Sequence, residues 1–193
     1  MRNSTIRFLT AIFLLVPSSA ALAHPGHNVS GLVAGLMHPF TGFDHLLAML
    51  AVGLWAVQGG GRKVWLLPAT FMTMLAVGAG IALPYQSLPL VETGIATTVL
   101  ALGLLIALSL RFPVMVSVAV AALFGLLHGY AHGLELPDSA APSAYALGFL
   151  AATAMLHLSG IMAGILTRNR YAILAKSLGI VIAASGAWML ATG

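Results

Sequence analysis

The sequence predicts an all-α polytopic membrane protein: a six-helix transmembrane bundle behind an N-terminal signal peptide. Three observations carry that prediction. The 193-residue chain is 60% hydrophobic with only 6% charged residues, whereas a soluble domain carries roughly a quarter. Its mean hydropathy is +1.03. Its apolar residues gather near 34–57, 64–84, 92–111, 113–134, 143–167 and 171–192. Each segment is long enough to cross a hydrocarbon core that needs about 20 helical residues.

Residues 1–23 read as a secretory signal. Arg2 and Arg7 supply the positive start, Phe8 to Val16 a short apolar stretch, and Ala21-Leu22-Ala23 the small residues of a cleavage site. The apolar stretch is too short to span. Cleavage leaves His24 at the mature N-terminus, in the sequence HPGH. Residues 24–193 then form one bundle, because the breaks at 59–63, 84–92, 111–113, 135–144 and 167–171 leave no room for a soluble domain.

Charge placement sets the expected orientation. With the N-terminus exported, Arg62, Lys63, Arg111, Arg168, Arg170 and Lys176 all fall on the cytoplasmic side, as the positive-inside bias requires. Asp44, Glu92, Glu135 and Asp138 fall near the outer face. The pI near 10.0 does not signal nucleic acid, because 8 Lys and Arg against 4 Asp and Glu are scattered over loops. Cysteine is absent, which excludes disulfides, thiolate metal sites and a Cys nucleophile.

Small residues mark packing faces. Ser117, Ala121, Gly125, Gly129 and Gly133 recur every four residues in the fourth segment, as do Ala175, Gly179, Ala183 and Ala187 in the sixth. Such stripes let helix backbones approach closely in lipid. Trp55, Trp65 and Trp188 lie near segment ends and read as interfacial anchors.

The polar residues inside these apolar segments carry the chemistry. Buried imidazoles and carboxylates are costly in a bilayer and usually face an interior cavity. HGYAHGLE (128–135) puts His128, His132 and Glu135 at i, i+4 and i+7, on one helix face. Imidazoles one turn apart suit Ni²⁺, Zn²⁺, Co²⁺ or Cu²⁺. HPFTGFDH (38–45) holds His38, Asp44 and His45 around Pro39 and Gly42. Those two residues predict an irregular helix, which is tolerated at membrane depth where it lines a cavity. The predicted orientation puts both clusters at similar depth on the outer side. The expected metal set is His38, Asp44, His45, His128, His132 and Glu135, with Asp44 either ligating or accepting a ligand's second ring N–H. His157, within the fifth segment, is a candidate station on an inward path. His24 and His27 are candidate capture residues at the outer surface.

The two clusters resemble the signatures of the HupE/UreJ family of nickel permeases. HPFTGFDH matches His-Pro-x-x-Gly-x-Asp-His at His38, Pro39, Gly42, Asp44 and His45. The second cluster matches Phe-His-Gly-x-Ala-His-Gly-x-Glu at His128, Gly129, Ala131, His132, Gly133 and Glu135, departing at Leu127, where the pattern has Phe. An exported N-terminus followed by six helices also fits that family over essentially the whole chain. The resemblance implies a permease domain over 24–193 and secondary uptake of Ni²⁺ (or Co²⁺) through the bacterial inner membrane, for hydrogenase or urease maturation. The metal is then transported substrate, and no prosthetic group is implied. It also implies that the matching His and Asp residues are essential to transport.

The expected mechanism is a carrier without ATP, since the sequence holds no G-x-x-x-x-G-K-[ST] loop. Two inverted three-helix halves are hinted at by the opposite directions of the first and fourth segments, without a sequence match between halves. Its partners are a divalent metal ion and the lipid bilayer. The rival reading is a membrane-embedded zinc-dependent hydrolase, with three His ligands and Asp44 or Glu135 activating water. A metal sensor or chaperone partner without transport is a third class.

Overall fold

The computed structural model describes residues 31–82, 90–136, 141–168 and 172–193. The expected signal at 1–23 and the capture residues His24 and His27 lie outside the described residues, as do Asp138 and Arg170. The described residues form seven helices and no strand: α1 (Gly31–Thr41), α2 (Phe43–Gly59), α3 (Lys63–Ala82), α4 (Val91–Ala107), α5 (Val114–Leu134), α6 (Pro142–Arg168) and α7 (Ala172–Thr192).

The segment expected at 34–57 is not one helix. It divides at Gly42 into α1 and α2, which meet at 81°. Pro39 stays inside α1; the break falls three residues later, where Gly42 is extended at φ −86° and ψ 112°. Any residue can adopt those angles. Crowding is what favours glycine, since an added Cβ would stand 3.1 Å from Asp44 Oδ1 and 3.4 Å from His45 Cγ.

Helices α3, α5, α6 and α7 are each long and apolar enough to cross a membrane, and α1 with α2 passes as one broken span. Helix α4 has 17 residues, which rise about 25 Å against a hydrocarbon core of about 30 Å. Among the described residues, four to five helices or helix pairs are thus candidate spans by length and composition, against the six expected. The outside of the bundle is apolar: Trp65, Met115, Leu147, Ile173 and Trp188 are all exposed, a surface suited to lipid and not to water. Trp55 departs from the anchor role expected of it. It is 2% exposed and packs in the core.

Small residues set the pairings. Along α5, Gly125 meets the Phe71 backbone, Gly129 that of Leu75 and Gly133 that of Ala79, so α5 lies against α3. Gly179 of α7 meets Ala107 and Gly103 of α4. Gly53 of α2 and Gly160 of α6 meet each other's helices, and Gly148 meets α1 at Leu32. The closest pairs are thus α3 with α5, α4 with α7, and α1 and α2 with α6. Exchanging the two halves of the bundle maps the first pairing onto the third and the second onto itself, which accords with the hint of two related halves.

Polar residues segregate by end. Lys63 Nζ donates to the Phe112 carbonyl and Gln58 Nε2 to that of Ile106 at 3.1 Å, tying together the end that carries Arg62, Lys63 and Arg111. Asp44, Glu92 and Glu135 gather at the opposite end, around two open cavities of about 340 and 350 Å³ that share Glu92 and Thr93.

Candidate metal site

Three local features build the site. The break at Gly42 lets α1 turn back over the start of α2, bringing His38 and His45 to one place. The HGYAHGL sequence carries α5 to its end at Leu134, with Glu135 as its C-cap. Gly129 and Gly133 press that end against α3 and leave the imidazoles of α5 facing inward, with His128 and His132 buried.

His38, His45, His132 and Glu135 each offer a donor atom, and these atoms lie within 4.8 Å of one another. Glu135 Oε2 is the hub. It is 2.9 Å from His38 Nε2, 3.3 Å from His132 Nδ1 and 4.0 Å from His45 Nε2. Metal–nitrogen bonds of about 2.1 Å place neighbouring donors roughly 3.0–3.4 Å apart and opposite ones about 4.2 Å apart. A dication thus needs only a small contraction to be held. The His45 and His132 rings have centroids 3.8 Å apart, and Phe149 packs on His132 at 4.0 Å. Those two imidazoles are 3% and 2% exposed, whereas the side chains of His38 and Glu135 are 26% and 42% exposed. The group therefore opens outward through His38 and Glu135 and ends inward at His45 and His132.

Electrostatics favour a cation here. Burial works to raise the Glu135 carboxyl, but the adjoining His132 and His38 rings outweigh it and hold it well below its ordinary value of 4.5. Glu135 is therefore a carboxylate. With Asp44 and Glu92 it makes the mouth of the site anionic, which concentrates dications there.

The other expected residues lie beside the group of four. Asp44 Oδ1 accepts from the His45 backbone N–H at 2.8 Å and sits 3.0 Å from His45 Nδ1. The carboxylate thus lies within ion-pair distance of the His45 ring, although His45 Nδ1 makes no hydrogen bond. His128 is one turn inward from His132, fully buried, with Nε2 2.7 Å from Thr98 Oγ1. His157 is also buried, and its Nδ1 donates to the Met49 carbonyl at 2.8 Å. Sequence reasoning did not single out Thr98 or Tyr145. The Tyr145 hydroxyl is buried without a hydrogen-bond partner, and its ring lies 5.8 Å from that of His38. A separate apolar cleft of about 290 Å³ runs along α3, α5 and α6 past Leu75, Ala79, Tyr145 and Phe149 to His132.

The model of the family described as HupE / UreJ protein matches residues 12–189. The chain belongs to the HupE/UreJ family. Protein HupE of Rhizobium leguminosarum bv. viciae is 41% identical over 185 residues, covering 95% of this chain and 97% of that protein. No solved structure matches the chain. Family membership covers both helix-borne clusters, so the group of four and its neighbours lie inside the region that defines the family.

Proposed function

We propose that this protein is a secondary carrier that brings Ni²⁺ (or Co²⁺) into the cell through a clasp formed by His38, His45, His132 and Glu135. One observation supports this above the rest: donors from α1, α2 and the end of α5 lie within 4.8 Å of one another at the acidic end of an apolar bundle. Asp44 holds His45 in orientation, and His128 stands below the clasp. On this reading the chain lies in the bacterial inner membrane with six crossings, α4 being the short one. Its basic end faces the cytoplasm, and its N-terminus is periplasmic after signal cleavage. The metal is cargo, destined for hydrogenase or urease maturation, and a potential negative inside favours its entry by about 2.3 kcal/mol per charge per 100 mV.

Family membership supports metal transport as the class of activity. Imidazole and carboxylate donors alone follow a general affinity order and select no ion. A flux assay in proteoliposomes with Ni²⁺, Co²⁺ and Zn²⁺, on the wild type and on His45→Ala and His132→Ala, is the test. Wild-type flux that both substitutions abolish is expected. Undiminished flux in either variant defeats the reading.

The apolar cleft ending at His132 favours one second reading, a membrane-embedded zinc hydrolase that admits an apolar substrate sideways. It predicts zinc-dependent hydrolysis of a lipid or peptide substrate and no metal accumulation in the vesicles.

A further inference from the structure

Helices α3 and α6 flank the apolar cleft of about 290 Å³, with the end of α5 beneath it. Small, exposed residues form its rim: Ala76 and Gly80 on α3, Ser143 and Ala146 on α6. Leu75, Phe149 and the ring of Tyr145 form a buried floor. Val77, Ile81 and Leu147 stand exposed on the same two helices, so the cleft opens through a surface suited to lipid and not to water. An added Cβ on Gly80 would meet nothing within 4 Å. The space is therefore open down to the backbone of α3.

Two of the buried side chains that line the cleft are polar. His132 belongs to the clasp. Tyr145 has no such account: the residue is 5% exposed, and its hydroxyl is buried without a hydrogen bond. A buried tyrosine hydroxyl normally finds an acceptor, and a donor left unmet costs free energy. An occupant that suits this cleft is apolar along its length and brings one acceptor to Tyr145.

Depth identifies that acceptor. Helix α6 has 27 residues and is about 40 Å long, against a hydrocarbon core of about 30 Å. Its first turn therefore reaches the headgroup region. Tyr145 is fourth from its start, at the boundary where lipid chains join their ester groups. From there the cleft runs inward to Leu75 and Leu150, the latter about 12 Å below Pro142 along α6.

We propose that this cleft holds one acyl chain of a phospholipid from the leaflet at the acidic end, with an ester carbonyl of that lipid accepting from the Tyr145 hydroxyl. The chain fills the space beside Gly80, and the lipid stays whole. Because His132 lines the same cleft, the bound chain closes the lipid-facing side of the clasp against water. The inference rests on the bilayer-spanning fold, and not on the direction or identity of any transported ion.

The test titrates purified full-length protein, stripped of lipid, with dioleoyl phosphatidylcholine and with its dialkyl ether analogue. The analogue has the same chains and headgroup but no ester carbonyl. Native mass spectrometry counts what stays bound. Wild type is expected to retain one ester lipid per chain, held about fivefold more tightly than the ether lipid, the usual worth of one hydrogen bond. Tyr145→Phe keeps the ring and removes the hydroxyl, so it should bind both lipids equally, as weakly as wild type binds the ether. Gly80→Leu fills the cleft with a good helix former and should abolish retention of either lipid without lowering Tm. Equal wild-type affinity for the two lipids overturns the proposal. So does an ester preference that survives Tyr145→Phe, or retention that survives Gly80→Leu. A dimer that Gly80→Leu dissolves gives the cleft to a second copy of the chain and equally overturns it. Bound lipid recovered as lysolipid and free fatty acid overturns it in favour of the hydrolase reading.

Discussion

His38 Nε2 lies 2.9 Å from Glu135 Oε2 although 97 positions separate them. This contact closes the outer side of the clasp. It joins the helix before the Gly42 break to the C-cap of α5, and both partners are half-open to the outside. A carboxylate at this point does two things. On the proposed reading it offers an oxygen donor and offsets part of the charge of an arriving dication.

Glu135→Gln therefore keeps the shape and removes the charge. The amide can still contact His38, so the fold is expected to survive with little change in Tm. Metal affinity is expected to fall at least tenfold, equivalent to about 1.4 kcal/mol. Equilibrium dialysis with Ni²⁺ or Co²⁺ against the wild type reads this directly. An affinity within twofold of wild type would remove Glu135 from the site.

The helix–helix contacts give a second expectation. A Cβ on Gly53 would strike the His157 carbonyl, and one on Gly160 would strike the Leu50 carbonyl, backbone in both cases. Gly53→Val should force α2 from α6 and destabilise by about 1–3 kcal/mol, the usual range for overpacking. It should also disturb the Met49–His157 hydrogen bond one turn away. Gly80→Ala is the control, since nothing lies within 4 Å of a Cβ there, and it should be neutral or slightly stabilising. Thermal unfolding in one detergent compares the two. Equal Tm for both variants contradicts the packing account.

Much of this arrangement was legible in the sequence, and the physical reasons differ from residue to residue. Pro39 and Gly42 announced irregular backbone, because each changes what a helix can do locally; the 81° bend was not legible, because α6 and α5 decide where α1 can lie. The i, i+4, i+7 spacing of His128, His132 and Glu135 correctly placed them along one helix end. It could not show that His128 turns to Thr98 while His132 turns to Glu135, since that depends on α4 packing beside α5. Thr98 itself gave no signal. A threonine in an apolar helix normally satisfies its hydroxyl on its own helix, as Thr98 does with Ile95, and its second bond is purely tertiary. Trp55 misled for a related reason. Position near a segment end suggests the interface, but α2 begins only at Phe43, after the break, and its whole later part is core.

The pH dependence of metal binding should come from the imidazoles. Glu135 is held well below 4.5, so it stays ionised across the neutral and mildly acid range and adds no slope there. Ligand histidines must be neutral, so metal and protons compete for the same lone pairs. Co²⁺ affinity is expected to fall steadily from pH 7.5 to 5.5. The sign for stability is separate. A carboxyl depressed in the folded state contributes stability above 4.5 and loses it only as pH falls through the folded value. Metal-free protein should thus keep its Tm between pH 7.5 and 5.5 as far as Glu135 is concerned. A Co²⁺ affinity unchanged over those two units would mean that metal binding displaces no proton from the imidazoles in that range.

Asp44 separates orientation from ligation. Its Oδ1 sits 3.0 Å from His45 Nδ1 and accepts the His45 backbone N–H at 2.8 Å; the four donors of the clasp do not include it. An Asn at 44 can keep its carbonyl oxygen at that point, still accepting from His45 and leaving His45 Nε2 free for metal. Asp44→Asn is therefore expected to lose less than tenfold in Co²⁺ affinity and to leave the Co²⁺ absorption spectrum unchanged. Asp44→Ala removes both the backbone acceptor and the carboxylate beside the ring, so a loss in the 10–100-fold range usual for such supporting groups is expected. If Asp44 instead bound the metal, both substitutions would remove a donor, and the spectrum would shift in Asp44→Asn as well. The spectrum of that one variant, read beside its affinity, therefore decides whether the carboxylate touches the ion or only aims the imidazole that does.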